Sequence, residues 1–236
     1  MIFFCRVFVS FTTVLTTALM AVSTSLYAIE DDPNFAVGLG YGLFNEKSLM
    51  NLDFKINIPV NQYLSTQILL NSNYLVTGSA SSSFAQSEFS SNWFLRNEYG
   101  RLGFGLGVSE IEPMDESLDS DRELIAQLMG EVFLNSFTLT TNYISNESTL
   151  SNITSSRVGV SYYMDDDQRI SLYQEKYNDQ KIGWRLETYF QPKKYDRMGS
   201  VGIIARSSED YDYLGVIVQY YFDYAVSLKQ REREYN

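Results

Sequence analysis

The stretch Ser48-Leu49-Met50-Asn51-Leu52-Asp53-Phe54-Lys55-Ile56-Asn57-Ile58 decides the fold. Met50, Leu52, Phe54, Ile56 and Ile58 share one parity, and Asn51, Asp53, Lys55 and Asn57 share the other. A helix would spread these polar residues around its circumference; only a period of two separates them, so the segment is an amphipathic β-strand.

The same alternation recurs on both sides of it. Gln62–Val76 places Leu64, Thr66, Ile68, Leu70, Tyr74 and Val76 opposite Tyr63, Ser65, Gln67, Leu69, Asn71 and Asn73. Arg101–Ser109 sets Leu102, Phe104, Leu106 and Val108 against Gly103, Gly105, Gly107 and Ser109, and Lys181–Gln191 sets Ile182, Trp184, Leu186, Thr188 and Phe190 against Lys181, Gly183, Arg185, Glu187 and Tyr189. Strands are expected near 34–44, 48–58, 62–76, 86–97, 101–109, 123–134, 136–146, 156–164, 168–177, 180–191, 199–207 and 211–222. Glu123–Leu134 alternates imperfectly and also reads as a short amphipathic helix. The count is therefore about 12, with 10 as the alternative.

Connections fall into two classes. Pro59-Val60-Asn61, Glu98-Tyr99-Gly100, Asn135-Ser136, Asp165-Asp166-Asp167 and Pro192–Arg197 read as short turns; Gly78–Ser87, Glu110–Arg122 and Asn146–Ser155 read as longer polar loops. Alternation of short and long connections is the pattern of a membrane barrel with tight turns at one end.

The first 28 residues explain how such a chain would reach a membrane. Arg6 is followed by an apolar run to Met20-Ala21-Val22, then by Ser25-Leu26-Tyr27-Ala28, before the acidic Glu30-Asp31-Asp32. Charged, apolar and small-residue regions in that order predict a cleaved secretory signal over 1–28, with an uncleaved anchor as the rival reading. No later segment offers the roughly 18 consecutive apolar residues that a spanning helix requires. The sequence thus predicts a barrel over 29–222 and a C-terminal extension over 223–236.

Composition agrees. The 236 residues suffice for one β-domain; they include 18 Tyr, 15 Phe and only four Pro. Formal net charge is −11, and loss of residues 1–28, whose one charge is Arg6, leaves 17 Lys+Arg against 29 Asp+Glu. Such a surface disfavours nucleic acid, whose binding depends on cationic side chains. The single cysteine, Cys5, lies inside the export segment, so neither a disulfide nor a thiolate metal site is expected in the remainder.

The last expected strand carries a family resemblance. In Asp212–Phe222, the residues Leu214, Val216, Val218, Tyr220 and Phe222 share one face, with Gly215 on the other. This resembles the final-strand signal of Gram-negative outer-membrane proteins, which their barrel-assembly machinery recognises, with Gly215, Tyr220 and Phe222 as the matching positions. The resemblance implies an all-β, transmembrane, antiparallel up-and-down barrel in the outer membrane, surrounded by lipid and lipopolysaccharide. In that family the Phe usually ends the chain, whereas here Asp223–Asn236 follows, including Lys229-Gln230-Arg231-Glu232-Arg233-Glu234. Tyr224, Val226 and Leu228 keep the apolar parity of the strand, so a longer final strand is a second reading.

Periodicity alone does not separate a soluble sandwich from a membrane barrel. The export segment, the loop pattern and aromatics near strand ends favour the barrel; Tyr63, Tyr74, Tyr99, Trp184, Phe190, Tyr213, Tyr220 and Phe222 are the expected interfacial residues. A barrel so oriented turns Asp53, Lys55, Glu88, Arg96, Glu98, Glu123, Glu131, Arg157, Arg169, Glu175, Lys181, Arg185, Glu187 and Arg206 inward. Arg185, Glu187, Glu175, Arg96, Arg157 and Arg169 are the candidates for a constriction, which either tunes a water-filled pore or closes the lumen with ion pairs.

Catalysis finds little support. The familiar outer-membrane barrel enzymes resemble one another in using a histidine base, and this chain has none. A carboxylate pair such as Glu175 and Glu187 reads better as lumen charges paired with arginine. Glu112, Asp115, Glu116, Asp119 and Asp121 lack Ca²⁺-loop spacing and read as a solvated loop. No catalytic, metal or cofactor site is expected. The expected function is a narrow porin-like channel for small hydrophilic solutes, with a non-conducting structural or surface-interaction barrel as the alternative. In size the chain resembles the narrow porins for acidic oligosaccharides, but its mixed, net-acidic charge departs from their basic lumens.

Overall fold

A computed structural model describes residues 33–79, 82–115, 117–145, 156–177, 181–209, 211–222 and 226–235. The export segment 1–28, Tyr224 and the polar run 146–155 lie outside the described residues. Twelve antiparallel strands follow one another: β1 Asn34–Phe44, β2 Lys47–Pro59, β3 Leu64–Val76, β4 Phe84–Asn97, β5 Gly100–Pro113, β6 Asp121–Leu134, β7 Phe137–Ile144, β8 Ser156–Asp165, β9 Gln168–Tyr177, β10 Lys181–Phe190, β11 Gly199–Ser207 and β12 Asp212–Tyr221. Each pairs with its sequence neighbours, and β1 pairs with β12 from Ala36↔Tyr221 to Phe44↔Tyr213, closing the barrel. Closure leaves no strand edge unpaired.

The parity of each strand decides which side faces out, and the sides are inverted relative to a soluble protein. Leu124 is 76% exposed and Leu102 59%, whereas Asn73, Gln86 and Asn92 are 0% exposed. A soluble sandwich would bury the leucines and hydrate the amides. Only a surrounding apolar medium stabilises this arrangement, so the fold is a transmembrane β-barrel.

Most of the expected aromatics line the outer surface near strand ends: Tyr63, Tyr74, Tyr99, Trp184, Phe190, Tyr220 and Phe222 are all exposed. Tyr213 is the exception. It sits on the opposite parity from Leu214, is 5% exposed and points into the barrel.

Connections at the end where β1 begins, here the turn end, include 98–99, 135–136 and 166–167, each two residues long. The β10–β11 connection at that end is longer than expected, spanning 191–198 with a 3₁₀ turn at Lys193–Tyr195. At the opposite, loop end, β1 and β2 are joined by Asn45-Glu46 alone, both with positive φ (47° and 66°), the tight hairpin geometry that matches strand twist. The acidic run 110–122 is strand at both its ends, because β5 extends to Pro113 and β6 starts at Asp121, with Arg122 paired to Glu110 across the ladder at 2.8 Å. Glu123–Leu134 is strand, not helix, since its residues Ile125 and Gln127 alternate inward with the rest of the wall.

Glycines let lumen-facing rings lie flat against the wall. Tyr189 lies directly across from Gly202, where a methyl group would come within 2.6 Å of the ring. Phe94 covers Gly103 and Tyr173 covers Gly159 in the same way. Each ring trades against a missing side chain, a packing that holds lumen aromatics close to the sheet.

This pairing predicts a coupled pair of substitutions. Gly202→Ala should destabilise the barrel by about 1–3 kcal/mol through overpacking. In a Tyr189→Ala background the same change should cost less. Urea unfolding of both backgrounds in lipid vesicles measures the difference; equal costs would show that the ring does not press on the glycine.

Candidate functional site

The lumen divides into two unlike walls. On β2 to β4 it carries short amide side chains in a hydrogen-bonded ladder. Gln67 Nε2 donates to Asn57 Oδ1 (2.6 Å), Asn57 Nδ2 to Asn34 Oδ1 (2.7 Å), Asn51 Nδ2 to Asn73 Oδ1 (3.0 Å) and Asn73 Nδ2 to Asn71 Oδ1 (2.6 Å). Asn71 Nδ2 also donates to Asp53 Oδ1. Side chains this short reach one neighbour and leave the centre of the barrel open.

The wall over β8 to β11 carries the long charges. Arg185 Nε meets Glu187 Oε1 at 2.6 Å, and Arg169 Nη2 meets Glu187 Oε2 at 2.5 Å. Arg206 Nε meets Glu175 Oε1 at 2.6 Å, where Tyr211 OH also donates (2.6 Å). Arg185 and Arg206 are direct cross-strand partners, so the two carboxylates interleave with guanidinium groups up one side of the lumen. Tyr211 lies in the β11–β12 connection, and burial pushes its hydroxyl well above the usual tyrosine value, so it serves as a donor.

These five residues are brought together as one wall, and four of them, Arg185, Glu187, Glu175 and Arg169, were expected at a constriction from sequence. Arg157 also belongs here, opposite Glu175 on β8 and stacked over the Tyr173 ring at 5.1 Å. Arg96 does not. It ends β4 at the turn end and donates to the backbone carbonyl of Glu234. Asp53, Lys55, Glu88, Glu131 and Arg206 point inward as expected, but Glu98 and Glu123 are exposed, the first in a turn and the second near the loop end. The Lys181 side chain lies outside the described residues.

Three further features shape the lumen. A small apolar cluster of Leu49, Leu75, Ile204, Tyr213 and Ile217, flanked by Phe44 and Phe84, fills part of the barrel interior between β2–β3 and β11–β12. Ile204, Tyr213 and Ile217 also border a cavity of about 230 Å³, lined by Asp53, Lys55, Arg101, Gln127, Arg157 and Arg185 among others.

The third is the chain after β12, whose last ladder bond is Phe222 N to Phe35 O. β12 ends at Tyr221, and the described residues from 226 onward are not strand. Residues Leu228–Gln230 form a helical turn capped by Ser227 Oγ, continuing as a π-turn over Arg231–Tyr235. This tail lies inside the turn end. Leu228 is buried, Lys229 N donates to Asp166 O (2.9 Å) and Gln191 Nε2 donates to Val226 O (2.7 Å). Glu232 receives Arg169 Nη1 (2.7 Å) and Tyr163 OH (2.7 Å); Arg231 sits 3.8 Å from the Tyr221 ring centroid.

No protein-family model matches the sequence, and neither does any curated protein sequence. Solved structures do match in fold. A KdgM porin aligns with a TM-score of 0.56 at 11% identity, over 80% of this chain and 99% of that one. The KdgM porin in complex with disordered oligogalacturonate gives 0.54 at 12% identity over the same shares. The outer membrane phospholipase A from Escherichia coli gives 0.48 at 11% identity, over 82% of this chain and 97% of that one. At these identities the likeness is one of fold: a closed membrane barrel.

The buried Arg206–Glu175 pair yields a stability prediction. Arg206→Met should cost about 3–5 kcal/mol, because Glu175 is left charged and buried. Adding Glu175→Met should recover most of that loss. Unfolding midpoints in detergent test it; a single mutant as stable as wild type would show that water reaches Glu175 freely.

Proposed function

We propose that this protein is an outer-membrane channel that passes small hydrophilic solutes through a narrow, charged lumen. The observation that carries the reading is the asymmetry of that lumen. Amide side chains on one wall stop short of the centre, and a cavity of about 230 Å³ remains beside the ionic wall. A barrel built only as a rigid body would gain from filling this space, since unfilled volume forfeits packing. About 12 strands also give an interior wider than that of the 8-stranded barrels whose side chains fill them. The shared architecture with a porin supports the reading.

A second reading, a non-conducting barrel that acts through lipid or a surface partner, is favoured by the apolar cluster and by the tail across the turn end. Lipid and lipopolysaccharide are the surroundings that the outer face fits, and delivery there rests on the export segment and the barrel-assembly machinery. Neither reading uses catalysis, nucleic acid or a cofactor.

Arg157 is the substitution of choice for testing permeation. Its Nε has no hydrogen-bond partner among the described residues, so it can be replaced without breaking a hydrogen bond at that atom. In planar bilayers, openings of the full-length protein should select more strongly for cations after Arg157→Glu, since the fixed charge lies within a Debye length, roughly 8 Å at physiological salt, of passing ions. Openings with unchanged reversal potential would place the path elsewhere, and no openings under any voltage would favour the filled barrel.

The assembly signal is tested separately. Phe222 is exposed and its ring packs edge-on against Tyr220 at 4.7 Å. Phe222→Ala should lower the folded, heat-modifiable fraction in cells while leaving the unfolding midpoint of the purified barrel within ~0.5 kcal/mol of wild type. A matching loss in purified protein would make Phe222 a packing residue and not a signal.

A further inference from the structure

We infer that residues 226–235 are a built-in plug, which seals the turn end of the lumen and leaves it when solute passes. The inference rests on the channel reading above.

The tail crosses the mouth of the barrel; it does not line one wall. Arg231 stacks on Tyr221 of β12, and Glu232 binds Arg169 of β9 and Tyr163 of β8. Arg233 Nη2 donates to Phe137 O (2.8 Å) and Thr138 Oγ1 (3.2 Å) of β7, and its guanidinium lies 5.1 Å from the Phe133 ring of β6. Arg96 of β4 reaches the Glu234 carbonyl, and the π-turn lies against β2 as well. A helical turn with side chains is about 10–12 Å across, enough to stop a lumen that wall side chains already narrow.

The contacts are of a kind that can be exchanged. Apart from the Lys229–Asp166 backbone bond and the buried Leu228, the plug is held through charged and polar side chains. Such groups recover hydrogen bonds from water on leaving, so opening draws on a local equilibrium separate from unfolding of the strand ladders.

The wall is also prepared for the tail to depart. Arg169 is shared between Glu232 of the tail and Glu187 of the wall, so withdrawal leaves its guanidinium paired. The Tyr221 hydroxyl keeps Ser200 (2.8 Å) and Gln219 (2.8 Å). A segment needed to complete the fold would leave buried charge unpaired when removed; this one does not. Charge within it alternates, Arg231, Glu232, Arg233 and Glu234, and each of the first three finds an opposite charge, a hydroxyl or an aromatic face across the mouth.

The test uses the full chain in planar bilayers. The triple substitution Arg231→Ala, Glu232→Ala and Arg233→Ala should raise the fraction of time spent open by roughly tenfold or more, with the barrel's unfolding midpoint unchanged. Thr138→Cys with Arg233→Cys, in a chain whose natural cysteine is only Cys5, allows a short bismaleimide to tie the tail down. The tied protein should fall silent and the untied one conduct. Equal conduction by wild type, triple variant and tied protein overturns the plug and leaves the channel standing. A triple variant that loses barrel stability without conducting more makes the tail a structural brace, which also overturns the plug. Silence in every form, the triple variant included, overturns plug and channel together.

Discussion

The structure depends on one constraint: in a hydrocarbon environment each backbone N–H and C=O must find its partner within the protein. Pairing of β1 with β12 meets that constraint, because it converts eleven successive hairpin pairings into a ring without edges. Once the ring is closed, the side-chain period of two leaves only two environments, lipid and lumen. Charged residues in the middle of the strands are then driven inward, where an arginine avoids the cost of about 2–4 kcal/mol that it meets at the bilayer midplane.

Gathering charge in a finite interior sets a second problem, which the two walls solve differently. Amides on β2 to β4 neutralise one another by donating and accepting in series, with Asp53 receiving from Asn71 and Asn51. Guanidinium groups on β9 to β11 are too long for that. They are matched with Glu187 and Glu175 and laid over rings, as Arg169 lies over Tyr189 and Arg206 over Tyr211. Those rings in turn need room at the wall, which glycine provides opposite Tyr189. Lumen electrostatics and glycine placement are therefore one arrangement, and it accounts for Tyr189 and Tyr213 facing in while Trp184 and Tyr220 face out.

The strands were legible in the sequence because parity is a local property. Ser48–Ile58 displays it without help, and Lys181–Gln191 places Arg185 and Glu187 inward before any neighbour is known. The count of about twelve followed from repetition of that pattern, whereas the barrel reading rested on the export segment, the loop pattern and the aromatics near strand ends. What parity does not carry is distance across the lumen. It placed Arg96 beside Arg185 as an inward charge, although one ends its strand at the turn end and the other lies within the ionic wall. Nor could it identify the apolar cluster, since Leu49, Leu75, Ile204 and Ile217 break the polar face one at a time, each in a different strand. Glu175 and Arg206 are separated by 31 positions and lie on β9 and β11, yet meet at 2.6 Å across β10, where Gly183 stands opposite Glu175.

The residues after β12 left two readings open, an extension and a longer strand. Tyr224, Val226 and Leu228 hold the outward parity of β12, which suggested a longer strand. Continued further, that parity would turn Gln230, Glu232 and Glu234 toward lipid while Arg231 and Arg233 faced in. Such a strand would run past the turn end and gain nothing from lipid. Nor would a longer β12 have a neighbour, since β11 begins at Gly199 opposite Tyr220 and β1 begins at Asn34. A strand without a neighbour leaves its backbone groups unpaired, and a helical turn satisfies the same backbone without a partner strand. Folding back into the lumen then gives Glu232 two donors, Arg169 and Tyr163, that the last strand of the barrel could never have reached.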